Sequence, residues 1–312
     1  MENLIIAISC VTPIFIYMLV GYYASARKIV PQNVFRQISR VAFSCLLPFT
    51  LFNNIYTADL SAAFSPMMAV YLVAVNIVFF AVGSVILFRT QPDGRRRGLD
   101  IQNIYRTNIA IIGVALAQPL MSADALSAMC ITIAVLVPLY NMLAIIALEL
   151  CRGTKVSIPS LAVSMVKNPL IFGSVTGVLF SVLGIRLPSA VESAVAGLGK
   201  TGSVIALVAL GATFEFSALR RNAKELTKLT VNRLVVYPLA MVLPAILLGF
   251  RGSDLATILI CVAAPISTST YTMALVYDSD DVLSGQTVIT TSLFCCFTLF
   301  LWIFLFKQLG LF

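Results

Sequence analysis

Histidine is missing altogether, tryptophan occurs once, and only 11% of the 312 residues are charged. Without imidazole the chain can build neither a His-ligated zinc site nor a histidine proton relay. A soluble domain carries about a quarter charged residues, so this share excludes an ordinary water-soluble globule. Cysteine is sparse too. Of the seven, Cys151 falls in a polar joint and the others in apolar stretches, so no outer loop offers a disulfide pair. Cys295 and Cys296 are adjacent and lack metal-ligand spacing, which leaves them as small packing residues.

Apolar residues are abundant: 60% of the chain is hydrophobic and its mean hydropathy is +0.99. A membrane-spanning helix needs about 20 mostly apolar residues. Ten such stretches are predicted, over residues 4–25, 35–57, 66–88, 101–121, 125–150, 161–184, 189–217, 227–250, 254–277 and 282–308. They leave no room for a soluble catalytic domain. Met1-Glu2-Asn3 lacks the basic residues of a secretory signal and reads as the uncleaved start of the first span.

Loop charge gives an orientation, because short loops rich in Lys and Arg stay cytoplasmic. Thirteen basic residues fall in one set of loops, among them Arg27, Arg36, Arg95 to Arg97, Arg152 and Lys224. The opposite set, counting the C-terminal end, holds only Arg186, Arg251 and Lys307. This split predicts a multi-pass protein of the cytoplasmic membrane with both termini outside, and explains the net charge of +8 without nucleic acid. The Gly94 to Arg97 loop would lie in the cytoplasm, serving orientation or binding anionic headgroups.

Five spans per half is an odd number, so homologous halves would be inverted in the membrane. Pro13 and Gly21 in the first span match Pro169 and Gly177 in the sixth, each pair eight apart. The resulting expectation is an all-α polytopic protein, with residues 1–150 as one five-helix repeat and 160–312 as its inverted copy.

Polar residues gather in the fourth span of each half. The first has Arg106-Thr107-Asn108, then Gly113 and Gln118-Pro119; the second has Ala264-Pro265-Ile266-Ser267-Thr268-Ser269-Thr270-Tyr271. Proline at 265 has no amide hydrogen, so the carbonyl of Cys261 loses its helical partner. In lipid such a carbonyl is tolerated only where protein or a watery cavity satisfies it. Interruptions are expected at Gly113 and Pro265, with Ser267 to Thr270 capping the half-helix that follows. Its amides and partial positive charge suit a carboxylate. The alternative is an ordinary proline kink, with Ser and Thr bonding back to their own helix.

Of the basic residues inside spans, Arg40, Arg106, Lys167 and Arg233 lie near cytoplasmic ends, where snorkelling is expected. Lys200 sits mid-span and should face protein or water. It would attract an anionic substrate, replace a coupling ion, or bond helix-end carbonyls. Asn141 and Gln286, with Thr290 and Thr291, would either complete the pocket or hydrogen-bond between helices. Trp302 reads as an interfacial anchor.

Arg106-x-Asn108 with Gly113, Lys167-Asn168-Pro169, Leu210-Gly211-Ala212, Arg233-Leu234 with Pro238, Ala264-Pro265 with Tyr271 and Ala274, and Asp281-Val282-Leu283 occur in that order. In this the chain resembles the auxin efflux carrier family, in its bacterial branch of malonate and related organic-acid permeases. The resemblance implies ten helices as two inverted repeats, with broken helices four and nine crossing beside the substrate. Helices 1, 2, 6 and 7 would form a scaffold, often dimeric, and helices 3–5 and 8–10 a mobile bundle moving as an elevator. Carried over, Asn108 would contact a substrate carboxylate and Pro265 would form one crossover break, with Thr107, Gly113, Asn141, Ile266, Ser267, Thr268, Ser269, Tyr271 and Gln286 around the pocket. Relatives commonly carry proline two residues after the glycine of helix four, where this chain has Ala115; Pro119 would move that break outward. The function expected is transport of a small organic anion, a mono- or dicarboxylate, without a cofactor or metal. Sodium-coupled uptake in the manner of bile-acid carriers and a non-transporting membrane sensor are the alternatives. No Ser/His, Asp/Asp or His-metal set is placed for an enzyme.

Overall fold

A computed structural model describes residues 2–57, 65–117, 121–152, 163, 165–214 and 216–311. The described residues are helical apart from short joints and one isolated β-bridge. In chain order the helices are α1 (Glu2–Ala26), α2 (Gln32–Tyr56), α3 (Pro66–Thr90), α4 (Gly94–Tyr105), α5 (Val114–Ala117) and α6 (Ala123–Cys151). There follow α7 (Pro169–Val182), α8 (Ser189–Ala212), α9 (Phe216–Arg221), α10 (Ala223–Leu247), α11 (Gly252–Ala263), α12 (Ser269–Val276) and α13 (Asp281–Gln308). Five apolar segments of 24 or 25 residues, in α2, α3, α6, α8 and α10, are each long enough to cross a bilayer.

The fourth and ninth predicted spans are not single rods. The fourth divides into α4 and a π-helical turn, Ile109–Gly113, that runs into α5. The ninth divides into α11 and α12. The Gly94 to Arg97 stretch is not a loop but the first turn of α4, because Asp93 caps it by accepting from the Arg95 amide at 2.9 Å. Arg95 then pairs with Asp278 at 3.3 Å and Arg96 with Asp280 at 3.7 Å, fastening this turn to the segment before α13.

Prolines explain the other irregularities. Two π turns, Ala42–Leu46 in α2 and Asn232–Val236 in α10, end two residues before Pro48 and Pro238. Each proline deprives the preceding turn of a hydrogen bond, and the widened turn makes room for the ring. In α10 the carbonyl that Pro238 frees is that of Leu234, and the Trp302 indole donates to it at 3.0 Å. Trp302 is therefore half-buried and tied to α10, rather than a simple interfacial anchor.

Helices α1, α2, α7 and α8 approach closely. A side chain at Gly21 would strike the Val208 carbonyl and one at Gly211 the Met18 carbonyl, so the α1 and α8 backbones touch where these glycines cross. On α7, Gly173 and Gly177 lie against Pro48 and Phe52 of α2, the small-xxx-small spacing that lets apolar helices pack by van der Waals contact. Thr50 of α2 donates to the Gly199 carbonyl of α8 at 2.7 Å. The largest buried cluster runs through α3 to α6 and α10 to α13, encloses the two interrupted helices, and takes in Ile14 and Met18 of α1 and Leu207 and Leu210 of α8.

Candidate functional site

Helix α4 ends at Tyr105 because Arg106 turns extended, with φ −82° and ψ 108°. Helix α11 ends at Ala263, and Ala264, which precedes proline, is extended as well, with φ −60° and ψ 152°. The two extended stretches meet. Thr107 and Ile266 form an antiparallel bridge, and the Asn108 amide donates to the Pro265 carbonyl at 2.8 Å. The interruption in the first half is thus at Arg106 to Asn108, five residues before Gly113. Gly113 instead closes the π turn, buried against Ile109 and Met129. Gln118-Pro119 lies outside the described residues.

The groups freed by the two breaks are satisfied by protein. The Thr107 hydroxyl donates to the carbonyl of Cys261 at 2.9 Å, which is the carbonyl that Pro265 strips of its partner. Arg233, expected to snorkel, is wholly buried (0% exposed). One of its terminal nitrogens donates to Asn103 O at 3.1 Å and Ile104 O at 2.9 Å, at the end of α4. The other donates to Val262 O at the end of α11. A single guanidinium therefore caps both half-helices with the cation that a helix C-terminus favours. The predicted hydroxyl cap of α12 is not made. Thr268 occupies the N-cap position without a side-chain bond, the Thr270 amide takes the Ser267 carbonyl at 3.0 Å, and Ser267 and Ser269 hydrogen-bond each other at 2.8 Å.

Beside the crossing is a cleft of about 590 Å³ counted out to its mouth. Thr107, Asn108, Asn141, Ser267, Thr268 and Ser269 line it. Thr50 and Asn54 of α2, Leu170 of α7 and Ser203 of α8 form the facing wall. Pro265 and Ile266 hold the crossing together but do not line the cleft. Tyr271 and Gln286 are elsewhere: with Arg36, Thr213 and Asp281 they surround a second, smaller chamber. There Tyr271 and Thr213 share a hydrogen bond of 2.6 Å, Gln286 accepts from Asn222 at 2.9 Å, and Arg36 pairs with Asp281 at 3.4 Å. Lys200 is exposed on α8 and is not among the residues lining the cleft. Arg40 and Lys167 are exposed.

The charge in the cleft comes from Arg106. Its side chain is 1% exposed and its guanidinium is held by Gln102 Oε1 at 2.6 Å, Asn141 Oδ1 at 2.8 Å, Ser269 Oγ at 2.8 Å and Met273 Sδ at 2.7 Å. All four partners are neutral, and none of the residues lining the cleft is acidic. Two residues away, the buried Asn108 Nδ2 has no hydrogen-bond partner among the described residues. A cation without a carboxylate and an amide without an acceptor thus share one cavity.

The family model for "Membrane transport protein" matches residues 6–154 and 152–303. The chain belongs to the auxin efflux carrier family of membrane transport proteins. It is 21% identical over 300 residues to an uncharacterized transporter of Methanothermobacter thermautotrophicus, covering 94% of this chain and 96% of that one. It is 24% identical over 270 residues to the uncharacterized transporter YfdV of Escherichia coli K12, covering 81% and 82%. The chain is accordingly an all-helical, multi-pass membrane protein of a transporter family.

In this family member Arg106 is the residue that sequence reasoning misplaced. Its position two residues before Asn108 was visible, but its distance from the membrane surface had to be judged from a span that proves to be broken. Asn54, Thr50 and Ser203 carried no signal, since single polar residues in apolar helices are common and usually structural.

Proposed function

We propose that the protein is a secondary transporter for a small organic anion, a mono- or dicarboxylate, which it binds at the crossing of the two interrupted helices. The observation that carries this reading is the buried Arg106 with only neutral partners. Keeping an ammonium or guanidinium inside a membrane protein is costly, and such groups mark substrate or ion pathways. Guanidinium matches a carboxylate in both charge and planar geometry. The free Asn108 amide adds a donor, and the start of α12 adds the positive end of a helix dipole. A carboxylate in the cleft would supply a negative charge beside Arg106 and an acceptor for the Asn108 amide.

Alternating access follows from where the cleft lies. One wall is the crossing, and the other is α2, α7 and α8, whose backbones are packed against one another. In this reading α1, α2, α7 and α8 are the static scaffold, and the two crossing helices with α3, α6, α10 and α13 slide past it as an elevator. The Tyr271–Thr213, Arg36–Asp281 and Asn168–Tyr277 contacts join the two groups and would break and re-form in each cycle. The division of each crossing helix into a 12-residue half and a short second half supports an inverted five-plus-five repeat. The distribution of basic residues supports termini on the outer side of the cytoplasmic membrane, and the family favours a homodimer.

The test is a thermal-shift screen of purified protein against carboxylic acids and their uncharged methyl esters, followed by uptake into sealed proteoliposomes. Selective stabilisation by an acid, with uptake of the same acid, is expected, since a ligand of the folded state raises its stability. Stabilisation by the ester as strong as by the acid would overturn the anion assignment. Binding without uptake would favour a sensor.

A further inference from the structure

Between α10 and α13 a groove of about 850 Å³, counted out to its mouth, runs along the surface of the helix group. Leu219, Ala223, Leu226, Leu234 and Phe294 line it together with four threonines, Thr227, Thr230, Thr290 and Thr298. The threonines offer a guest little. Thr227 donates to Ala223 O at 2.9 Å, Thr298 to Phe294 O at 3.3 Å, Thr230 to Thr290 Oγ1 at 3.0 Å, and Thr290 to Gln286 O at 3.0 Å. With its hydroxyl donors used internally, the groove suits hydrocarbon. Val231 and Phe294 on its rim are 46% and 49% exposed, so it opens on the side that a spanning helix such as α10 turns to lipid.

One end of the groove is basic. Arg220, Arg221, Lys224 and Lys228 are all exposed there, and none makes an ion pair within 4.0 Å among the described residues. Lys224 follows Ala223 and Lys228 follows Thr227, both groove residues, so the cations border the place where the groove begins. Two carboxylates accompany them, Glu225 on the same turn and Asp100, which lies within electrostatic reach of Lys228. A net positive charge remains.

We propose that this groove is a binding site for an anionic phospholipid of the bilayer, one acyl chain lying along α10 and α13 and the phosphate against Lys224, Lys228 and the flanking arginines. Juxtamembrane lysine and arginine clusters attract anionic lipid, and an apolar channel beneath them adds what a free phosphate could not use. Leu234 and Val235 of the π turn Asn232–Val236 line the groove, so its occupant would press on the turn whose Arg233 holds both broken helices. The proposal does not depend on the identity of the transported substrate.

The experiment is native mass spectrometry of the full-length protein with phosphatidylglycerol and with phosphatidylcholine of the same chains, and thermal shift with soluble glycerol 3-phosphate. The expected result is retention of phosphatidylglycerol at least about tenfold better than phosphatidylcholine, falling to parity when Arg220, Arg221, Lys224 and Lys228 are all changed to Gln. Val231→Phe, which fills the groove from its exposed rim and keeps every charge, should also lower retention. Equal retention of both lipids by the natural sequence would overturn the proposal. So would stabilisation by glycerol 3-phosphate equal to that by the lipid, or unaltered retention in the well-folded Val231→Phe protein.

Discussion

Thr107 donates its hydroxyl hydrogen to the carbonyl of Cys261, which Pro265 leaves without a helical partner, across a gap of 154 residues in sequence. The residue that interrupts one helix and the residue that repairs the interruption thus belong to opposite halves of the chain. Substituting Thr107→Val keeps the shape and removes the donor, leaving a buried carbonyl unpaired. The expected loss is about 1–3 kcal/mol of stability, read as a lowered Tm in detergent, with Thr107→Ser retaining most of it. An unchanged Tm for Val would show that the bond contributes nothing.

Arg106 is the charge in the cleft, so Arg106→Gln should weaken anion binding at least about tenfold, as the loss of a charge-assisted hydrogen bond does. Arg106→Lys should recover part of the affinity, because charge returns without the planar fork. Titration of the acid found in the screen, by thermal shift or calorimetry, measures both. Equal affinity in all three proteins would remove Arg106 from the site.

Asn108 offers a side-chain amide that no protein group takes up among the described residues. Asn108→Ala should therefore leave Tm nearly unchanged while raising the Kd for the anion about fivefold, the worth of one ordinary hydrogen bond. A protein that loses stability but keeps its affinity would reverse the assignment and make Asn108 structural.

Arg233 satisfies three carbonyls at once, and Arg233→Met abandons them all. The cost should be about 3 kcal/mol or more, enough that size-exclusion profiles from expression trials show aggregated or absent protein. Arg233→Lys, which can reach only part of the set, should give an intermediate yield. A monodisperse, thermally normal Met variant would show that water replaces the cap.

Lys200 lies exposed on α8 and does not line the cleft. Lys200→Met should leave anion affinity within about twofold of the natural sequence, as surface substitutions do. A larger loss, or a new pH dependence of transport, would return this ammonium to the pathway.

The second break illustrates what could be read directly. Pro265 lies in an apolar run, its missing amide names Cys261 as the carbonyl in need, and the hydroxyl-rich segment beyond it marks a polar pocket in lipid. The first break shows the limit. Nothing between Asn103 and Ile112 is glycine or proline, so helical propensity alone carries the chain straight through. Arg106 to Asn108 leave the helix because Ala264 to Ile266 lie across them and offer the Pro265 carbonyl in exchange. Arg233 repeats the lesson: counted from the end of its span it is a snorkelling residue, yet the two helix ends that converge on it draw it inward.

By itself the sequence determined that the chain lives in a membrane, where its long helices begin and end to within a few residues outside the broken spans and the sixth, whose helix α7 starts at Pro169 rather than near 161, and that a proline interrupts one of them in polar company. Those properties depend on composition and on backbone groups that each residue carries or lacks locally. Only the tertiary structure decided where the other helix parts, which hydroxyl and which guanidinium satisfy the freed carbonyls, and that Arg106 rather than Lys200 supplies the charge in the cleft. A buried polar group must find its partner in space, and here Thr107 reaches a carbonyl 154 residues away and Arg233 one 130 residues away.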